Sequence, residues 1–126
     1  MCSSDLSSLA FDGANMWCAN FGQSGGGNVV KWSTIRSGIS ATVTLSAQSW
    51  PSALAFDGTD IWVGDRLRQS TDAGYRAAVY RINAASNQVV AKIQDYADQD
   101  PAALAFDGMD MWIATGGPNA LTKLRP

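Results

Sequence analysis

The sequence predicts an all-β fold made of repeated four-stranded antiparallel sheets. Three observations carry this. Leu-Ala-Phe-Asp-Gly occurs three times, at Leu9–Gly13, Leu54–Gly58 and Leu104–Gly108, each time with a Trp 8 residues after the Leu (Trp17, Trp62, Trp112). All 11 acidic residues are Asp and none is Glu, beside 12 Gly, a composition of strands and turns rather than helices. No segment holds a 3.6-residue apolar period over several turns.

Each repeat divides into four short strands, A to D. Strand A is Leu-Ala-Phe. The Asp-Gly stretch after it is a tight hairpin, with Gly13, Gly58 and Gly108 free to take positive φ. Strand B carries the Trp, beside Cys18, Val63 or Ile113. Strand C shares an apolar, polar, basic, apolar pattern: Val29–Trp32, Val79–Ile82 and Leu121–Leu124, with Lys31, Arg81 and Lys123 as the basic member. Strand D is rich in β-branched residues and occurs twice, as Ile39–Val43 and Val89–Ile93. The C–D turns, Ser33–Gly38 and Asn83–Asn87, are rich in Ser, Asn and Gly.

Spacing separates the rigid part of the unit from the variable part. The repeat periods are 45 and 50 residues. Leu to Trp is constant, and strand C to the next Leu is 25 in both complete copies. Trp to strand C is 12, 17 and then 9 residues, so all variation falls in the B–C loop. Four strands in 40 to 50 residues is the pattern of a β-propeller blade. Strands such as Ile61-Trp62-Val63 are apolar on both faces, as expected of a sheet sandwiched between two others. The prediction is an open arc of about three blades from a larger ring: blade 1 at 7–51, blade 2 at 52–101, and an incomplete blade 3 at 102–126 lacking its outer strand.

The unit Pro-x-Ala-Leu-Ala-Phe-Asp-Gly-x-Asp-Ile-Trp-Val, clearest at Pro51–Val63 with Val79–Ile93, resembles the YVTN/NHL and streptogramin-lyase-like bacterial β-propellers. The resemblance covers roughly residues 7 to 126 and implies the fold. It implies no single activity, because such propellers include lyases, lactonases, quinoproteins and binding scaffolds. It also implies a periplasmic or secreted location. Met1–Leu6 has no place in the repeat and resembles a translated sequencing-adapter end, so the chain is expected to be a fragment.

Charge and composition narrow the function. Net charge is −2, from 9 Lys and Arg against 11 Asp, so no basic nucleic-acid platform is expected. Apolar runs fall far short of a membrane span, and no signal-peptide core opens the chain. There is no His. Nucleophilic triads of the Ser-His or Cys-His kind are therefore excluded within this chain. The lyase chemistry that the resemblance implies uses a catalytic His with a divalent metal, and no residue here can carry that role. No cofactor motif is present; the glycines of Gly25–Gly27 lack the Lys-Ser/Thr of a phosphate loop.

Candidate contact residues fall in the B–C and D–A loops, which emerge together at one end of a blade stack. The second B–C loop, Asp65–Ala77, offers Arg66, Arg68, Asp72, Tyr75 and Arg76 for an anionic ligand or a protein partner. The D–A connections add Trp50 and Tyr96. Asp95, Asp98 and Asp100 are weak candidates for a cation. The Asp-Gly residues Asp12, Asp57 and Asp107 are read as turn formers rather than metal ligands. Trp17, Trp62, Trp112 and Trp32 are read as core, and Cys18 as a buried structural thiol.

Three functions compete. One is a binding scaffold that presents a ligand or protein partner to the B–C/D–A end. Another is part of a propeller enzyme whose catalytic residues lie in other blades. The third is a subunit that completes a ring with further copies of itself. Uncovered blade faces are expected to make the isolated monomer poorly soluble.

Overall fold

The computed structural model describes residues 6–20, 27–45, 49–67, 78–93, 101–116 and 119–126. The described chain is all β. Blade 1 is β1 (Leu6–Phe11), β2 (Asn15–Asn20), β3 (Asn28–Ser33) and β4 (Gly38–Thr44), hydrogen-bonded in that order. Blade 2 is β5 (Ser49–Phe56), β6 (Asp60–Leu67), β7 (Ala78–Asn83) and β8 (Val89–Ile93), in the same order. The third sheet has three strands, β9 (Pro101–Phe106), β10 (Met111–Gly116) and β11 (Asn119–Leu124). All neighbours are antiparallel. This is the arc of propeller blades that the repeat predicts.

The A–B hairpin is built the same way three times. Gly13, Gly58 and Gly108 take φ of 96°, 101° and 99°, which a side chain would resist. The Asp before each Gly closes the turn: its Oδ1 accepts backbone N–H bonds from the second and third residues on, at 2.6 to 2.9 Å. Its Oδ2 accepts the indole Nε1–H of the strand-B Trp at 2.7 to 2.8 Å. The turn and the core Trp are thus one unit.

Strand alternation sends Trp17 and Trp62 toward the next blade. Trp17, Ala19, Val29 and Val43 of blade 1 pack with Leu54, Ile61, Val63, Tyr80 and Ile82 of blade 2. Trp62 and Val79 of blade 2 pack with Met111 and Ile113 of blade 3, flanked by Leu104, Phe106 and Leu124. Burying each of these Trp removes about 150–250 Å² from water, an upper estimate of roughly 4–6 kcal/mol at about 25 cal/mol per Å². Successive inner strands β1, β5 and β9 lie side by side. Ser7 Oγ donates to the Pro51 carbonyl at 2.8 Å, and its equivalent Ser52 donates to the Pro101 carbonyl at 3.2 Å.

Expectations at six residues need correction. Trp32 and Trp112 are only half-buried, because Trp32 faces away from blade 2 and Trp112 away from blade 2 on the far side. Trp50 lies in β5 rather than in a connection, and Arg66 lies in β6 rather than in the B–C loop. The inner pair extends because Pro51 sits on an edge strand, where its missing N–H removes no ladder bond. Cys18 is buried as expected but is disulfide-bonded, not a thiol; burial of a strand cysteine is the same for both forms. Leu6 also joins β1, taking opposite Asn20 the place that Pro51 takes opposite Asp65.

Candidate functional site

The strand order puts the B–C and D–A segments at one end and the A–B and C–D turns at the other. At the first end, Trp50 and Arg66 are direct cross-strand partners of β5 and β6. They are the two sequence candidates that the structure brings together. Trp50 is half-buried and Arg66 exposed. Arg68, Tyr75, Arg76, Tyr96, Asp95, Asp98 and Asp100 lie outside the described residues, as does Asp72.

What anchors this pair is Asp65, fully buried between them in sequence. Its Oδ1 accepts the Trp50 backbone N–H at 2.7 Å and its Oδ2 accepts the Ser49 hydroxyl at 2.9 Å. The carboxylate therefore pins the entry of β5 to the exit of β6. Sequence reasoning placed Asp65 in a loop and missed this role. The signal was available: the third residue after each Trp is Asn20, Asp65 or Thr115, and all three are buried polar groups. In blade 1 Asn20 Nδ2 donates to Asn28 Oδ1 at 3.1 Å, across the mouth of the first B–C loop.

The opposite end carries a cation on each strand-B Trp. Lys31, Arg81 and Lys123 stand 5.3, 4.8 and 5.5 Å from the ring centroids of Trp17, Trp62 and Trp112. Arg81 also donates to Asp60 at 2.7 Å, and Lys123 pairs with Asp110 at 3.6 Å. Blade 1 has Asn15 at that position. Lys31 instead crosses to blade 2, donating to the Ala84 carbonyl at 2.7 Å and to Asn87 Oδ1 at 3.1 Å. A shallow cleft of about 390 Å³ lies beside it, lined by Asp12, Asn15, Lys31, Thr59 and Asn83 among others.

The turn carboxylates are held in their charged form. For Asp12, burial pushes the pKa up, but the bonds from Trp17, Asn15 and Ala14 outweigh it and the pKa ends below 3.8. Asp57 is likewise raised by burial and lowered more by Asp60, Trp62, Thr59 and the nearby Arg81. Asp107, open to solvent, is lowered to about 2 by the Asp110 backbone N–H, then by Trp112 and Met109. These Asp residues are committed to their own turns. Among the described residues no group of acidic or Cys side chains is placed to hold a metal ion.

No protein-family model and no curated protein matches the sequence. Among solved structures, the chain is similar to hydrazine synthase of Kuenenia stuttgartiensis, with a TM-score of 0.71 and 16% identity. The likeness covers 99% of this chain and 34% of that one, so the chain spans about a third of that structure. At this identity the likeness bears on the fold alone. Together with the sheets described above, it establishes the chain as a segment of β-propeller blades.

Proposed function

We propose that the chain is part of a YVTN/NHL and streptogramin-lyase-like propeller that serves as a binding scaffold. Its ligand, an anion or a protein partner, meets the end that carries the B–C and D–A segments. The observation behind this reading is the Trp50–Arg66 pair. Exposed Arg66 and half-buried Trp50 face each other in the register of two strands tied together by the buried Asp65. A flat cation next to an aromatic, on a rigid support, is a chemistry that recognises carboxylate, sulfate or phosphate groups. The chain holds no His, so the lyase chemistry that the resemblance implies finds no catalytic residue in it.

The test is a titration of the protein with citrate, inorganic phosphate and a heparin oligosaccharide, followed by 1H–15N chemical shifts. The reading expects shifts centred on Trp50 and Arg66 that vanish in Arg66→Ala with the fold intact. Shifts confined to the opposite end, beside Lys31, would contradict it.

A further inference from the structure

The strand-C cation of blade 1 departs from the repeat. In blades 2 and 3 the cation over the Trp pairs with a carboxylate at the start of strand B: Arg81 with Asp60 at 2.7 Å and Lys123 with Asp110 at 3.6 Å. Blade 1 has Asn15 there, so it keeps the cation over the indole and lacks the carboxylate. Lys31 has three N–H donors and uses two of them on neutral acceptors, the Ala84 carbonyl and Asn87 Oδ1. Among the described residues no carboxylate forms an ion pair with it. The cleft of about 390 Å³ opens between blades 1 and 2 at this same place, and Asn15 and Lys31 both line it. Its volume falls in the range of about 300–1,000 Å³ usual for small-molecule sites.

We propose that this cleft binds a hydroxylated carboxylic acid of the sugar-acid class, its carboxylate meeting Lys31 and Asn15 in the place that Asp60 takes beside Arg81. The proposal does not rest on the Trp50–Arg66 reading, because the two sites lie at opposite ends of the blades. The rest of the lining makes a bare anion a poor match. Asp12 lines the same cleft, and its turn holds it in the charged form. A carboxylate offers about four acceptor positions. Three of those on Asp12 are filled, by the Ala14 and Asn15 N–H groups and the Trp17 indole. What remains repels an anion and accepts a hydroxyl. From blade 2, Thr59 adds an exposed hydroxyl and Phe56 a half-buried ring. A cation, an acceptor carboxylate and an aromatic in one cleft select a ligand with one negative charge among several hydroxyls.

Titration of the full chain with D-glucuronate, followed by 1H–15N chemical shifts, is the test. Saturable shifts in the millimolar range are expected at Asn15, Lys31, Thr59 and Ala84. D-Glucose lacks the carboxylate and acetate lacks the hydroxyls. Each should bind roughly tenfold more weakly, the effect of one lost charge-assisted hydrogen bond. Lys31→Gln should weaken D-glucuronate binding by the same factor. Asn15→Asp supplies the missing carboxylate from within, as Asp60 does for Arg81, and should abolish binding while the rest of the spectrum stays that of wild type. D-Glucuronate that shifts no residue of the cleft overturns the proposal. So does D-glucose or acetate binding as tightly as D-glucuronate, or either variant binding it as wild type does. Any of these results leaves the Trp50–Arg66 reading standing.

Discussion

Asp57→Ala separates the turn from the core Trp it holds. Asp57 accepts three hydrogen bonds: Thr59 N–H at 2.8 Å, Asp60 N–H at 2.7 Å and Trp62 Nε1–H at 2.8 Å. Thr59 is exposed, so water replaces that bond at little cost. Asp60 and Trp62 are buried, and each donor left unmade costs about 1–3 kcal/mol. Arg81, 3.9 Å from the same carboxylate, loses a further attraction. The loss expected is about 3–4 kcal/mol. With a urea m-value of about 1.5 kcal/mol/M, the unfolding midpoint falls by about 2 M. Equilibrium unfolding followed by circular dichroism measures this. Asp57→Ala in a Trp62→Phe background should cost about 1–2 kcal/mol less, because the indole donor is already gone. Asp107→Ala, whose Trp112 is half-open to solvent, should shift the midpoint distinctly less than Asp57→Ala. Equal losses at the two positions would refute the reasoning, since the motif is the same and only burial differs.

Acid should destabilise the fold in a defined window. Asp12 and Asp57 titrate below 3.8 and Asp107 at about 2, so below about pH 4 the unfolded chain takes up protons first. Stability should thus be complete above that pH and fall steadily toward pH ~2; urea midpoints that stay flat across this range would contradict it. Gly58→Ala should cost about 1–3 kcal/mol from backbone conformation alone, because φ is 101° and an added Cβ meets no atom within 4 Å. A neutral effect in thermal unfolding would show that the hairpin relaxes. Asn15→Asp should place a carboxylate by Lys31 where Asp60 and Asp110 stand in the other blades, and raise stability by up to about 1 kcal/mol. A clear loss in the same assay would show that Lys31 cannot leave Ala84.

The fold was legible because the repeat is a spacing, and spacing survives without knowledge of contacts. Leu-Ala-Phe, the Asp-Gly turn and the Trp place strands A and B in every copy, and the structure has them there. The strand ends were less legible. Pro51 reads as punctuation, yet on an inner edge strand it costs no hydrogen bond, so β5 runs on through Trp50 to Ser49. Burial was misjudged at Trp32 and Trp112 for a different reason. Repeat equivalence assigns one environment to every copy, but among the described residues Trp32 and Trp112 have no blade packed over them. Asp65 was hidden because its partners, Ser49 and the Trp50 N–H, belong to a strand 15 residues earlier. The serine that ties each blade to the next was hidden for the same reason: Ser7 and Pro51 are 44 residues apart. Of the candidate site, only Trp50 and Arg66 fall among the described residues, and these lie together.

The central claim is that blades 1 and 2 each seat their strand-B Trp against the sheet of the next. Nuclear Overhauser effects between aromatic and methyl protons test it most directly. The account predicts cross-peaks from the Trp17 ring to the Ile61 or Val63 methyls, and from the Trp62 ring to Met111 or Ile113. It predicts none from Trp17 to Ile113. Trp17 and Trp62 rings that contact only residues of their own sheets would contradict the stacking of blades and the account built on it.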